Sequence, residues 1–403
     1  MLYRENIVQT VGLLGTSLLI LCYIAGFTLY TTGLVRAKNS VDILVKNLSC
    51  TAIIILLYVF IGAHIVVLNK GTISILPHVQ WLSETEFAAL DPADLVLKGL
   101  IVIPVFLVVS AASAERLKLW SYLLFSIAAA LIMLPILMFW VWGPSMLNHL
   151  GFVDQAGAGV LHLFASILAL VTVLILGPRH QRYEEDTIMA PRGANLPLAA
   201  AGAWLMWWGF LGLHSGAYLL HMPQLTLSAC AYMFLSTNVA IAASLLFMFL
   251  LTRIFYAKTD LTLLLNAVLV GAVVVSARPF DLGYQQAALM GAIASILVFF
   301  AVLLLEKLKI DDPTGSVPVF MIAGLVGLLS VNKPINTWNH TFLIQFFGSV
   351  FIILWAALGA VLLWWIVWFL VGMRVHSHEE FRGLDSIEHG MSAYPEFTFT
   401  SKQ

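Results

Sequence analysis

Charge is what this chain has least of. Asp, Glu, Lys and Arg make up 10% of its 403 residues, against about 25% in soluble proteins. The formal net charge is -1, so no basic surface for a nucleic acid partner is expected. Cysteine is scarce too. Cys22, Cys50 and Cys230 each lie in an apolar run and none stands in a CxxC spacing, which excludes a disulfide framework or a zinc ribbon. No Gly-rich phosphate loop, nucleophile elbow or paired carboxylate set is present, so an enzyme within these residues is not expected. The N-terminus has no basic segment and no small-residue cleavage site, so targeting falls to the first apolar span itself. "HSHEE" (His376–Glu380) has metal-like composition but no matching partner cluster; it reads as solvated tail, and neither metal nor cofactor is expected.

What fills the chain is apolar sequence, 61% of it. A helix needs about 20 such residues to cross the hydrocarbon layer. The runs fall at Val8–Leu34, Val41–Leu68, Asp94–Ala114, Trp120–Val141, Gly157–Leu176, Leu196–Leu220, Leu225–Leu251, Leu261–Ser276, Tyr284–Leu305, Val317–Val331 and Phe342–Val371. The fold class expected is therefore an all-α membrane protein of eleven transmembrane helices, in contact with membrane lipids. Arg36, Lys38, Arg116, Lys118, Arg179, Arg182, Arg192, Arg253, Lys258, Lys307, Lys309, Arg374 and Arg382 fall in one set of loops, against Arg4, Lys70, Arg278 and Lys333 in the other. That bias puts the N-terminus outside and the C-terminus in the cytoplasm, with the bacterial inner membrane as the expected location. Residues 1–371 read as the membrane domain and 372–403 as a polar cytoplasmic tail. Eleven crossings fit an inverted repeat of five plus five with a final long helix, the functional site lying between the halves. His162 is an ionisable residue inside the fifth run, where such groups are functional by default; its repeat-mate is expected in the tenth.

Several stretches, in order, resemble the ammonium transporter family (Amt/Mep/Rh): "GLVRAKN" (Gly33–Asn39), "AERLKLW" (Ala114–Trp120), "VWG" (Val141–Gly143), "GFVDQAGAGVLHLFAS" (Gly151–Ser166), "NLPL", "WWGFLGLHSGA" (Trp207–Ala217), "STN" (Ser236–Asn238), "LKIDD" (Leu308–Asp312) and "GLDSIEHGMSAY" (Gly383–Tyr394). The resemblance spans nearly the whole chain and implies a homotrimer with one pore per subunit. It also implies a pore-lining histidine pair, an outer ammonium site with an indole and a serine, two gate phenylalanines, and a structural carboxylate at the outer mouth. The indole matches Trp142, the carboxylate Asp154 and the first histidine His162.

The other positions depart from the pattern. The second histidine falls on Phe320, the recruiting serine on Ala217, and the gate phenylalanines on Ile101 and Leu213. An asparagine beside the gate becomes His214, a glutamine one turn above the other gate position becomes Lys98, and an aspartate after the Asp-Asp pair becomes Gly315. Phe320 removes a proton-relay member and adds an apolar plug. Lys98 repels a cation at the entry unless it snorkels outward or pairs with Asp91 or Asp94. His214 and Ser215 are polar groups able to rebuild the ammonium site in shifted form, although His214 has the plainer alternative of facing a neighbouring helix. Trp142 has the alternative of an interfacial belt residue.

Because the expected pore is altered while the tail motif is kept, the favoured expectation is an ammonium receptor that conducts poorly and signals through its tail. That signal would reach a cytoplasmic signalling domain, such as a histidine kinase, or a PII-type regulator. The alternative is a conducting transporter with a single pore histidine.

Overall fold

A computed structural model describes residues 2–67, 79–183, 193–221, 227–331 and 338–397. Apolar runs become helices here because a dry environment leaves backbone N–H and C=O groups no partner but each other. In chain order they are α1 (Leu2–Leu34), α2 (Ser40–Phe60), α3 (Pro92–Ala112), α4 (Leu119–Trp142), α5 (Ala158–Leu176), α6 (Leu196–His221), α7 (Leu227–Tyr256), α8 (Leu261–Val275), α9 (Tyr284–Lys307), α10 (Ser316–Leu329) and α11 (Trp338–Val371). Among the described residues, nine helices are long and apolar enough to cross a membrane; α8 and α10 are apolar but shorter.

The expected long loop before α3 differs from a plain connection. Backbone strands β1 (Ile65–Val67) and β2 (Val79–Trp81) pair antiparallel, and a short helix, Glu84–Ala88, follows. Ser83 and Glu86 close a reciprocal capping box on that helix, the S-x-x-E signature that satisfies two orphan N–H groups at once. Residues 68–78 of this loop lie outside the described residues.

α1 runs along α6, and α5 crosses α10. Gly324 permits that second crossing: a Cβ there would lie 2.8 Å from the Ala158 carbonyl. α5 and α10 also begin alike. Gly157 (φ +88°) and Gly315 (φ +71°) hold left-handed backbone at their starts, a conformation without steric cost only for glycine. An aspartate three residues earlier caps each: Asp154 accepts from the N–H groups of Gly157, Gly159 and Val160, and Asp312 from those of Thr314, Gly315 and Val317.

The end of the molecule that carries the C-terminal tail holds a buried charge network. Arg179 donates to Asp311 at 2.8 and 2.9 Å and to Glu115 at 3.0 Å. Burial alone would raise the Asp311 carboxyl, but the Arg179 guanidinium holds it well below the usual carboxylate range. Arg116, fully buried, donates to the carbonyls of Gly177, Ala114 and Asp311. Together these side chains clamp the ends of α3, α5 and α10.

The tail docks on the same face through helices Ser377–Arg382 and Leu384–Glu388. The Glu380 carboxylate accepts from the His180 N–H at 2.6 Å and from Arg374 at 2.9 Å. The Leu384 N–H donates to Asn39, and the Asp42 N–H donates to Asp385. Asp42 and Lys46, an i,i+4 pair at 2.7 Å, are almost fully buried beneath the tail, and Lys46 also donates to the Leu117 carbonyl. His389 lies 3.3 Å from the other Asp42 oxygen.

The hydrogen bond from Asp42 holds His389 above the ordinary imidazole range; burial and Lys46 oppose it, and Glu388 assists. A raised folded-state value means the contact contributes fully below the unfolded value of about 6.5 and is lost as pH rises through the folded value. Hydrogen-exchange protection of residues 377–391 is therefore expected to fall as pH rises from 6.5 towards 9, and His389→Gln to flatten that dependence. Protection that is flat in the wild type across this range would contradict the account.

Candidate functional site

α5 opens with a π-helical turn, Ala158–Leu163, which contains His162. A π turn carries an extra residue per turn and frequently marks a functional site. The turn starts where Asp154 gathers its N–H donors. Burial pushes the Asp154 carboxyl up to about 6, against the pull of the backbone N–H groups of residues 157–160. The loop is fixed from two sides. The Trp142 indole N–H donates to the Asp154 carbonyl at 2.6 Å, and the Gln345 amide on α11 accepts from the Val153 N–H and donates to its carbonyl.

Trp142 also borders a cavity of about 460 Å³ near the face opposite the tail. Lys98, Ile101, Tyr58, Phe139 and Ala217 contribute to its largely apolar wall. Lys98 pairs with Asp94 at 2.6 Å, both side chains partly exposed, while Asp91 caps the start of α3 through the Ala93 N–H. The lysine charge at the cavity thus has a carboxylate partner one turn away.

Towards the middle of the helices the interior is packed with rings. Phe320 on α10 stacks on His162 with centroids 5.5 Å apart and meets Phe27 on α1 at 6.1 Å. Phe27 meets Tyr23 at 5.9 Å, Tyr23 meets Phe210 on α6 edge-on at 5.0 Å, and Phe210 meets His162 at 5.6 Å. The five contacts close on themselves. Tyr23, Phe27, Phe210 and Phe320 have no exposed surface, and His162 is 2% exposed. The structure therefore joins His162 and Phe320, and sets both apart from the Trp142 cavity.

His214 does not line that cavity. One imidazole nitrogen lies 3.1 Å from the Thr237 hydroxyl on α7 and the other 2.9 Å from the Ser276 hydroxyl after α8. Ser276 donates its own proton to the Ala272 carbonyl, so it accepts from His214 Nε2–H and Thr237 donates to Nδ1, a neutral tautomer assigned from the network. The Ser215 hydroxyl turns back to the Leu211 carbonyl of its own helix. Leu213 is buried, and Ile101 separates the cavity from the core.

Residues 11–394 match the Ammonium Transporter Family. The chain belongs to that family. It is 28% identical to ammonium transporter Amt2 of Archaeoglobus fulgidus, over 94% of this chain and 86% of the relative. It is 27% identical to an ammonium transporter of Aquifex aeolicus, over 95% and 92%. In three dimensions it is similar to a protein described as a sensor Amt protein, with TM-score 0.89, 24% identity and coverage of 96% and 100%. Candida albicans Mep2 gives TM-score 0.80 at 18% identity, over 92% and 87%. The ammonium transporter fold and its multi-pass membrane character are thereby shown.

Within that fold, sequence reasoning missed Tyr23, Phe27 and Phe210. A signal was available: Tyr23, Phe27 and Tyr30 recur at helical spacing along α1, and Phe210 lies one turn before His214. Tyr58 was missed because nothing in the sequence pairs α2 with the third span.

Asp154→Ala strips three N–H groups at the start of α5 of their acceptor. Each bond to a charged group contributes about 1.5–3 kcal/mol, so a loss of at least about 3 kcal/mol is expected, seen as a sharp fall in the melting midpoint and yield of purified protein. Asp154→Asn, which keeps one acceptor oxygen, is expected to fall between that variant and the wild type.

Proposed function

We propose that this Amt-family protein is an ammonium receptor whose pore conducts poorly. The single observation that carries the reading is the closed aromatic contact of Phe320, Phe27, Tyr23, Phe210 and His162 across the midplane. A charge at the bilayer centre costs at least about 2.5–3.5 kcal/mol, and Phe320 offers it no polar replacement for water. Ammonium binding is placed at the Trp142 cavity, where an indole face attracts a cation by about 0.5–2 kcal/mol, with Ala217 supplying no hydroxyl and Lys98 neutralised in part by Asp94. In this reading eleven helices cross the membrane as an inverted five-plus-five repeat with α11 added, and α8 and α10 are short because they lie in the interior of the bundle. The N-terminus is outside and the tail cytoplasmic, three copies assemble, and the cell is bacterial with the protein in its inner membrane. Occupancy reaches the tail through the Arg179–Asp311 and Glu380 contacts, and passes to a signalling domain or a PII-type regulator. The naming of one structural neighbour as a sensor agrees with this.

A conducting transporter is the second reading, favoured by His162, whose Nε2 is buried without a hydrogen-bond partner among the described residues, and by the names of the relatives. Reconstituted liposomes separate the two. The wild type is expected to give no ammonium-dependent current, and Phe320→His, which restores a second imidazole beside His162, to raise flux at least tenfold. Robust wild-type current would overturn the receptor reading. Saturable ammonium binding to the purified protein is expected to weaken about 2- to 30-fold in Trp142→Leu; an absence of saturable binding would overturn the receptor and leave a structural trimer partner.

A further inference from the structure

Beneath the docked tail, at the opposite end of the molecule from the Trp142 cavity, three metal-ligating side chains converge. One carboxylate oxygen from Asp42, one from Glu388 and an imidazole nitrogen of His389 lie within 4.8 Å of one another. Lys46 takes Asp42 Oδ2 at 2.7 Å and leaves Oδ1, which faces His389 Nε2 at 3.3 Å. A charge-assisted N–H···O bond is usually about 2.7–2.9 Å long. Two donors each about 2.0–2.1 Å from a tetrahedral zinc ion lie about 3.3–3.4 Å apart. Glu388 is held in place by the Leu119 N–H at the start of α4, which donates to its Oε2 at 3.3 Å. A fourth group stands against them. Asp385, 2% exposed, accepts from the Asp42 N–H with Oδ1 at 2.9 Å, while its Oδ2 is buried without a hydrogen-bond partner among the described residues. Three carboxylates thus gather around Lys46. The start of α2 adds about half a positive charge, and the balance stays negative. An uncompensated buried charge is costly, and a divalent cation removes a surplus of this size.

We infer that Asp42, Glu388 and His389 form a binding site for one divalent transition-metal cation of the zinc class, which latches the tail to the start of α2. The donor set selects the ion. One imidazole with two carboxylates suits zinc and its neighbours, whereas magnesium and calcium favour oxygen alone. Three protein ligands leave a fourth position for water. Glu388 and His389 are adjacent in the tail, while Asp42 lies 347 positions before His389 on α2. The site is therefore complete only when the tail is docked, and an ion that binds the docked form alone stabilises it by mass action. The exposed His376 and His378 of the "HSHEE" stretch are not part of it. This inference does not depend on whether the pore conducts, so its failure and that of the receptor reading are separable.

The test is hydrogen exchange on the purified full-length protein, stripped with EDTA and titrated with Zn2+ at about pH 8, where the imidazole offers a lone pair. With free Zn2+ at about ten times its dissociation constant, protection of residues 384–391 is expected to rise about tenfold. Mg2+ at the same concentration is expected to give no rise. Glu388→Gln, which keeps an acceptor for the Leu119 N–H, and His389→Gln are each expected to abolish the gain, while Glu380 and Asp385 keep the tail docked. Replacing the exposed pair, His376→Gln with His378→Gln, is expected to leave the gain intact. Calorimetric titration is expected to show one Zn2+ per chain in the wild type and to lose that event in His389→Gln. No gain in the wild type overturns the proposal. So does a gain that survives Glu388→Gln and His389→Gln, or one that vanishes with His376 and His378, since the ion would then sit elsewhere on the tail.

Discussion

The arrangement of this molecule depends on how two helices begin inside it. α5 and α10 each start from a left-handed glycine with an aspartate three residues before it, and the carboxylate accepts the N–H groups that the first turn cannot satisfy. In water such groups find solvent; in a dry interior they find a designed acceptor or destabilise the fold. Because the caps are internal, the two helices can start within the protein and still bring their first turns to the crossing at Gly324. His162 and Phe320 lie in or just after those first turns, so the caps position both of these facing side chains.

The same economy explains where charge survives. At the tail end, deeply buried charges are paired: Arg179 with Asp311 and Glu115, and Lys46 with Asp42. A pair that is buried costs more to break than an exposed one contributes, so these contacts fix which helix ends lie together. The tail is held by the same set of helix ends: Glu380 grips the segment after α5, and Asp385 and His389 grip the start of α2. The tail is therefore bonded directly to the segment that follows α5, through Glu380 and the His180 N–H, with Arg374 on the same carboxylate.

Much of this was legible in the sequence. Apolar runs foretold the helices because length and composition set spanning ability directly. Family-like motifs in order foretold the fold. What was not legible were contacts made across the chain. Lys46 and Asp42 stand four apart, which local spacing alone makes an ordinary helical ion pair, because nothing local says that the tail will cover them. His214 read as a candidate ligand residue because its type is rare in lipid, while its two hydroxyl partners come from α7 and from the end of α8. Tyr23 was passed over because an aromatic residue in an apolar run is unremarkable until its buried hydroxyl is found without a partner among the described residues. The strands flanking the long loop went unseen because each is three residues long.

The π turn at Ala158–Leu163 makes the length of the chain a determinant of chemistry. An extra residue is accommodated in that loop of backbone, and an ordinary helical turn would hold one fewer. Were one residue taken out, everything downstream would revolve by about 100°, and the imidazole could keep its company with Phe210 and Phe320 only by forfeiting the packing of the whole remainder of α5. The spacing between Asp154 and His162 is thus a mechanical dimension of the fold, set by the backbone as firmly as by any side-chain contact.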